Sequence, residues 1–477
     1  MSRHTTDEAS ALHRRQMRKG RLGVALIALM LAGTAPASAE SLVDALSAAY
    51  MANPVLAGQR AQLRATDEQV AQAVSGWRPT LTAQGSYGYQ RVDSTYRTPG
   101  AGALAGSNSG TSHPLSGSII LSQNVFEGFQ TVGRTAQAKH SVGAGRENLV
   151  SVEQQVLLAA IQAYSDVIRD LSVVDLNRNN VKLLREQLAA TRDRFEVGEL
   201  TRTDVAQSEA RLAGARASLR AAEAQLTASR AAYERIIGHA PGTLSDTPPA
   251  AGLPQSEEEA RNLAQTNNPD LKAAREAESA SHEAVGVAKG ALLPRLDVQA
   301  SFDRVNDPSS GLRNNEQRAV LGVLTVPLYQ SGAEYSRVRE AKEYANQARM
   351  QIIAAERQVE EAVRIAWEQL RAARSLVKSS QEQVKANEIA LEGVRLEAEV
   401  GSQTTLDVLN ATQELLNARV ALVSAERDVA VAEFALLAAV GQLTARNLEL
   451  PVTYYDPEEN YRDVSGKWIG FGTAGDE

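Results

Sequence analysis

Apolar residues recur along most of the chain at one of two periods. Leu157, Ile161, Tyr164, Ile168 and Leu171 step by four, three, four and three residues, the spacing of a coiled-coil seam. The helical pattern runs without a proline from Phe129 to Val197 and again from Gly332 to Val400. Each stretch predicts a helix of 69 residues, about 100 Å long at roughly 1.5 Å per residue. Shorter helical stretches cover 41–76, 201–238, 257–290 and 404–441. The first two hold 36 and 38 residues, so two short helices stacked end to end can flank one long one. Strict alternation marks the other period. Leu81, Ala83, Tyr87 and Tyr89 oppose Thr82, Gln84, Ser86 and Gln90, and Leu296, Val298, Ala300 and Phe302 oppose Asp297, Gln299, Ser301 and Asp303. Period two with one apolar and one polar face predicts half-buried strands. Second strands are expected over about 115–127 and 319–329, where Pro327 requires a strand end. Loops are expected at 98–114 and 306–317.

The same order of elements occurs twice. Asn53-Pro54 recurs as Asn268-Pro269 and Pro79 as Pro294, both 215 residues on, and RPTLTAQGSY (78–87) matches PRLDVQASF (294–302). Further along the offset is 203: VGELTRTDV (197–205) falls on VGSQTTLDV (400–408), Tyr164 on Trp367, and Ile237-Gly238 on Val440-Gly441. A longer first hairpin, about 79–127 against 294–329, roughly accounts for the difference. Repeats of this length are whole architectural units, not solenoid turns. The resulting organisation is a leader (1–39), repeat 1 (40–240, hairpin about 79–127), a Pro/Gly-rich linker (241–256), repeat 2 (257–450, hairpin about 294–329) and a tail (451–477).

The leader reads RRQMRKGR (14–21), LGVALIALMLAG (22–33) and Ala-Ser-Ala (37–39), the three regions of a secretory signal peptide cleaved after Ala39. Twelve apolar residues are too few to span a bilayer. Met17 is an alternative start. Removing the leader's six Lys/Arg and two acids takes the net charge from −7 to −11, which argues against a nucleic-acid partner. The mature chain has no run of 18 apolar residues, so no helical membrane span is expected. Aromatics are only 4% and Ala is abundant, a composition suited to long, closely packed helices. The absence of cysteine excludes thiol chemistry, Cys-ligated metals, disulfides and a lipobox anchor.

Strands of ten to thirteen residues suit a tilted membrane crossing. Four strands cannot close a barrel alone, and an open sheet in lipid leaves backbone groups unpaired. Closure therefore needs several chains, and eight, twelve or sixteen strands are all arithmetically open. Tyr87, Tyr89, Phe126, Phe302 and Tyr329 can supply aromatic girdles, the alternative being the core of a sandwich.

Over residues 41–450 the chain resembles the TolC family of outer-membrane efflux and secretion channels. The tandem repeat, the Asn-Pro of the opening helices and VGSQTTLDVLNATQELLNARV (400–420) carry the likeness. It implies a mainly α fold with a small membrane β part, in which a coiled-coil helical barrel continues a 12-stranded transmembrane barrel of four strands per chain. It further implies a homotrimer in outer-membrane lipid, with its tunnel in the periplasm, docked through a periplasmic adaptor to an inner-membrane transporter. Such a channel is a passive exit duct for type I protein secretion and/or multidrug efflux. The tail PVTYYDPEENYRDVSGKWIG (451–470) resembles one found in some members, without a mechanism for it.

Two turns hold the candidate functional residues. Gly198 and Gly401 stand where a long helix reverses and suit a left-handed C-terminal position. Thr201 and Thr404 suit N-caps, with Asp204 and Asp407 three residues on. The resemblance places acidic rings at the tunnel's periplasmic end: Asp407 matches the first acidic position, and Asn410 replaces the second. Gln403 and Ala398 replace an Arg and a Tyr that hold the closed state in the best-known members. The turns, Val197 to Thr201 and Val400 to Thr404, are the expected adaptor contacts. No enzyme activity and no cofactor are expected: His113, His140, His239 and His282 lack metal spacing, and GAGALAG (100–106) lacks phosphate-loop spacing. A periplasmic coiled-coil adaptor or scaffold is the alternative reading.

Overall fold

A computed structural model describes residues 39–97, 105–309 and 312–473. Most of the expected leader lies outside the described residues, as do the last four residues of the tail. In chain order the elements are α1 (Leu42–Ala52), α2 (Pro54–Val74), a 3-10 turn (Ser75–Trp77), β1 (Thr80–Tyr87), β2 (Gln90–Arg97), β3 (Ala105–Ser112), β4 (Leu115–Glu127), α3 (Gln130–Glu196), α4 (Arg202–Ile237), α5 (Glu257–Asn267), α6 (Pro269–Gly290), β5 (Arg295–Ser309), β6 (Leu312–Thr325), α7 (Ala333–Glu399), α8 (Thr405–Ala439) and α9 (Glu459–Ser465). The fold is mainly α. No described helix is long and apolar enough to cross a membrane. The chain divides into two compact units, one with the described residues up to Ala45 and Ala163–Pro248, the other with Leu46–Gln162 and Pro249 onward.

In the first unit the later turns of α3 and the helix α4 bury their seams. Tyr164, Val167, Val174, Val181, Leu184 and Leu188 are buried on α3, and Leu212, Ala215, Leu226, Tyr233 and Ile237 on α4. Polar contacts close this helical pair where the linker begins. The Tyr164 hydroxyl lies 2.7 Å from the Ser245 carbonyl and 2.9 Å from that of Glu40, and the Tyr233 hydroxyl donates to Glu40 Oε1 at 2.6 Å. Buried Ser229 donates to Asp170. Aromatic bodies thus fill the core while their hydroxyls satisfy backbone and carboxylate groups.

The second unit has an Ala-rich helical core. Ala260, Ala264, Leu271, Val359, Val363, Ala366, Leu370, Ala432, Leu436 and Val440 pack together, with Trp367 against them. The opening helical stretches 41–76 and 257–290 differ from the expectation, since each is two helices. Asn53 caps α2, accepting from Val55 N at 2.9 Å and Leu56 N at 3.4 Å, and Asn268 caps α6, accepting from Asp270 N at 3.0 Å and Leu271 N at 3.3 Å. Each following proline sits at the first helical position, where its missing N–H costs nothing. One capped residue interrupts the backbone without shifting the apolar period much, which is why the pattern runs through it.

The main sheet has the order β1-β4-β5-β6, antiparallel throughout. The described parts of both expected loops are largely strand, residues 98–104 lying outside the described residues. β3 lies inside 98–114, and β5 and β6 extend into 306–317. Ladder hydrogen bonds come from backbone, so Gly, Ser and Asn there do not prevent pairing. β2 pairs with β3 in the register of the β1–β4 ladder, Tyr87 opposing Leu115 and Gln90 opposing Ser112. The interruption falls at Pro114, which has no N–H to donate; Gly88 N donates to its carbonyl at 3.1 Å. Pro327 lies beyond the end of β6. Where β4 leads into α3 and α6 into β5, Gly128 and Gly290 approach so closely that a Cβ on either collides with the other's carbonyl oxygen.

Candidate functional site: strand faces and helix turns

Register sorts the sheet's side chains by face. One face carries Leu81, Leu121, Ala300 and Val320 in one cross-strand row, and Ala83, Ile119, Phe302 and Arg318 in the next. The other carries Gln84, Ser118, Asp303 and Gln317, and Thr80, Ser122, Gln299 and Leu321. Leu81, Leu115, Ile119, Leu121, Val320 and Leu324 are exposed in the single chain. Ser86 and Ser116 hydroxyls meet across strands at 2.6 Å on the polar side. Strands β1 and β6 each pair on one side only, so both edges of the sheet are open. Exposed apolar area of this kind, with two unpaired edges, requires a partner or lipid.

The expected girdle aromatics occupy different places. Tyr87 ends β1 and is exposed; Tyr89, also exposed, lies between β1 and β2 and meets the His113 ring edge-on at 5.4 Å. Phe302 stands mid-strand under the Arg318 guanidinium, 5.6 Å from its ring centroid. Phe126 follows a register shift in β4 and packs edge-on against Phe129 at 5.2 Å. Tyr329 is exposed past the end of β6. Sequence reasoning did not include Trp77, Phe129 or Leu328, which are also exposed where strands meet helices. Their signal was position: each lies within three residues of a strand end.

The two turns share one geometry. Gly198 and Gly401 have φ of 85° and 84°, the left-handed region where glycine carries no Cβ penalty. Gly198 N donates to Phe195 O and Glu199 N to Arg194 O, while Gly401 N donates to Ala398 O and Ser402 N to Glu397 O. These paired bonds are the Schellman pattern that closes a helix C-terminus. After each turn a threonine caps the next helix. Thr201 N and Oγ1 donate to Asp204 Oδ2 at 2.9 and 2.6 Å, and Thr404 N and Oγ1 donate to Asp407 Oδ2 at the same distances. Each threonine hydroxyl in turn accepts from its aspartate's N at 3.3 Å, so both capping boxes are complete. The threonine side chain's hydrogen bond, then its backbone's, holds each aspartate below the usual carboxylate range. Val197 and Val400 are exposed beside the glycines, and Asn410 lies one turn beyond Asp407 on α8. Arg194 and Glu199 form an ion pair at 3.0 Å across the first turn only.

The model of the family described as outer membrane efflux protein matches residues 45–239 and 260–442. Among curated proteins, the outer membrane efflux protein BepC of Brucella suis is 38% identical over 94% of this chain and 96% of its own length. The outer membrane protein TolC of Vibrio cholerae is 27% identical over 86% of this chain and 92% of its own. Among solved structures, the Campylobacter jejuni CmeC outer membrane channel superposes with a TM-score of 0.73 at 16% identity, covering 89% of each chain, a likeness of fold. With both halves matched by one family model and the Brucella relative aligned nearly end to end, the chain belongs to the outer membrane efflux protein family, that of the TolC channels, and its place is the outer membrane.

Proposed function

We propose that three copies of this chain form an outer-membrane channel-tunnel, a passive exit duct for type I protein secretion and/or multidrug efflux. The observation that carries it is the open, two-faced sheet. Four strands present lipid-compatible residues on one side and Ser, Gln and Asp on the other, with β1 and β6 unpaired. Joining β6 of one copy to β1 of the next satisfies both edges, and three copies give twelve strands around a wet lumen. The apolar face then meets lipid, with Tyr87, Tyr89, Phe126, Phe302 and Tyr329 contributing to its aromatic belts. The long helices continue the duct as a coiled-coil barrel, and the repeat gives each copy two equivalent helical walls.

Energy enters elsewhere, through an inner-membrane transporter coupled by a periplasmic adaptor. Val197, Gly198, Thr201, Asp204, Val400, Gly401 and Thr404 are the docking positions, since their backbone is fixed by caps while Val197 and Val400 stay exposed. Asp407, with Asn410 one turn on, faces the aperture as a ring of three carboxylates, attracting cations and repelling anions.

The test uses the chain's lack of cysteine. Cysteines placed in pairs along the β1 and β6 edges should give disulfide-linked trimers, and the membrane-extracted protein should conduct in planar bilayers. A soluble, non-conducting product after leader removal refutes the channel and favours a periplasmic scaffold.

A further inference from the structure

The tail beyond Leu450 forms a series of anchors along α2. Tyr455 N donates to the Tyr50 hydroxyl at 3.1 Å, and the Arg60 guanidinium lies over both rings, 4.5 Å from Tyr50 and 5.3 Å from Tyr455. On α9, Asn460 Nδ2 donates to buried Asp67 at 2.8 Å. Arg146 pairs with Glu458 at 3.1 Å and lies over Tyr461 at 5.3 Å. The last anchor is Arg78, which donates to the Lys467 carbonyl at 2.6 Å and covers the Trp468 ring at 4.8 Å. Partners at 50, 60, 67 and 78 meet partners of rising number in the tail, so the tail follows α2 toward β1. Arg78 stands two residues before Thr80, the first residue of β1.

Past that anchor the chain turns apolar, and its large side chains are mostly uncovered among the described residues. Trp468, Ile469 and Phe471 are 67%, 91% and 102% exposed. Trp77, beside Arg78, is exposed as well. This places Trp, Ile and Phe beside Arg78 and Lys467 at the helix-side end of the strands. Aromatic rings with basic neighbours at the end of a membrane-facing strand suit the headgroup layer, where rings enter and cations stay in water.

We propose that residues Trp468 to Phe471 form an interfacial membrane anchor, inserted into the phospholipid headgroup layer on the helix side of the barrel. The inference rests on reading the apolar face of β1, β4, β5 and β6 as the lipid-facing wall. The occupant is lipid because the exposed triplet stands at the helix-side end of strands whose apolar face is read as lipid-facing, and it carries its own basic flank. The anchor fixes the height of α2 against the bilayer through Arg78, while α9 transmits that hold along the helix.

The full chain has Trp77, Trp367 and Trp468, so W77F/W367F leaves Trp468 as its sole reporter. A second protein, V320W in a W77F/W367F/W468F background, reports on the strand face, where Val320 is 76% exposed. Both are reconstituted in vesicles of phosphatidylcholine and phosphatidylethanolamine, with and without brominated acyl chains. The expected result is a blue-shifted Trp468 emission and loss of intensity in brominated vesicles, with V320W quenched too. V320W quenched and Trp468 unquenched overturns the anchor while the barrel stands. In that outcome acrylamide tells exposure to water from cover by a second copy. Unquenched V320W overturns the strand reading, and the anchor with it.

Discussion

Replacing Asn460 with Leu removes one donor and little volume from the junction of tail and α2. Asp67 is 0% exposed, and Asn460 donates to its Oδ2 at 2.8 Å. The other oxygen, Oδ1, accepts no hydrogen bond among the described residues. Asn460 is therefore the carboxylate's direct side-chain donor there, and a hydrogen bond to a charged group contributes about 1.5–3 kcal/mol. At about 1.4 kcal/mol per tenfold, release of α9 should become roughly 10- to 100-fold more populated. Native-state hydrogen exchange of the detergent-solubilised protein reads this at Glu459–Ser465, with the α3–α4 pair as an internal control. Adding D67N should recover part of the loss, because a neutral amide tolerates burial better than a lone carboxylate. If exchange in Glu459–Ser465 changes by less than about twofold, this contact does not hold the tail.

Three further predictions follow from the same geometry. Thr404→Ala removes the hydroxyl half of its capping box, costing the start of α8 about 1 kcal/mol, so its first-turn amides should exchange roughly fivefold faster, with Thr201→Ala doing the same on α4. Burial pushes the Asp67 carboxyl up, ahead of the opposing Asn460 hydrogen bond, so the stability it contributes is complete below the ordinary carboxylate value and lost as pH rises through the folded one; protection of α9, corrected for intrinsic rates, should rise as pH falls from neutral toward the ordinary carboxylate value, and D67N should flatten the trend. Asp407→Asn should weaken divalent-cation block in planar-bilayer recordings, and unchanged block removes the aperture role.

The long helices and the strand alternation were legible because both periods were carried by many residues at once. Gly198 and Gly401, with Thr201 and Thr404 after them, were legible as caps because left-handed closure and side-chain capping each demand few residue types. Other features left weaker traces. The breaks at Asn53 and Asn268 leave a repeated Asn-Pro in the sequence but no gap in the helical pattern, since capping re-forms the helix within one residue. β3 lay in a stretch of Gly, Ser and Asn because pairing there depends on backbone register continued from β1 and β4. The tail's course depended on contacts between residues nearly 400 apart, such as Asp67 and Asn460 at a separation of 393. No local pattern encodes such a pairing.

Asp204 and Asp407 make identical caps, so capping alone does not distinguish the aspartate proposed to face the aperture. It does decide what that aspartate can do there. Three carboxylates drawn together at a constriction raise one another's proton affinity, and a ring that takes up protons loses its field. The Thr404 hydroxyl and N–H oppose this by stabilising the ionised form of Asp407. They also fix the carboxylate against the helix start, where the positive end of the α8 dipole favours negative charge. That stabilisation is present above the ordinary carboxylate value and lost only as pH falls through the lowered one. A capped aspartate therefore keeps a ring charged to lower pH than a free one would. If Asp407 lines the aperture as proposed, its cap serves the ring, and Thr404→Ala should weaken cation block in the direction of Asp407→Asn as pH falls. Full cation block in T404A would show that the charge of the ring does not depend on its cap.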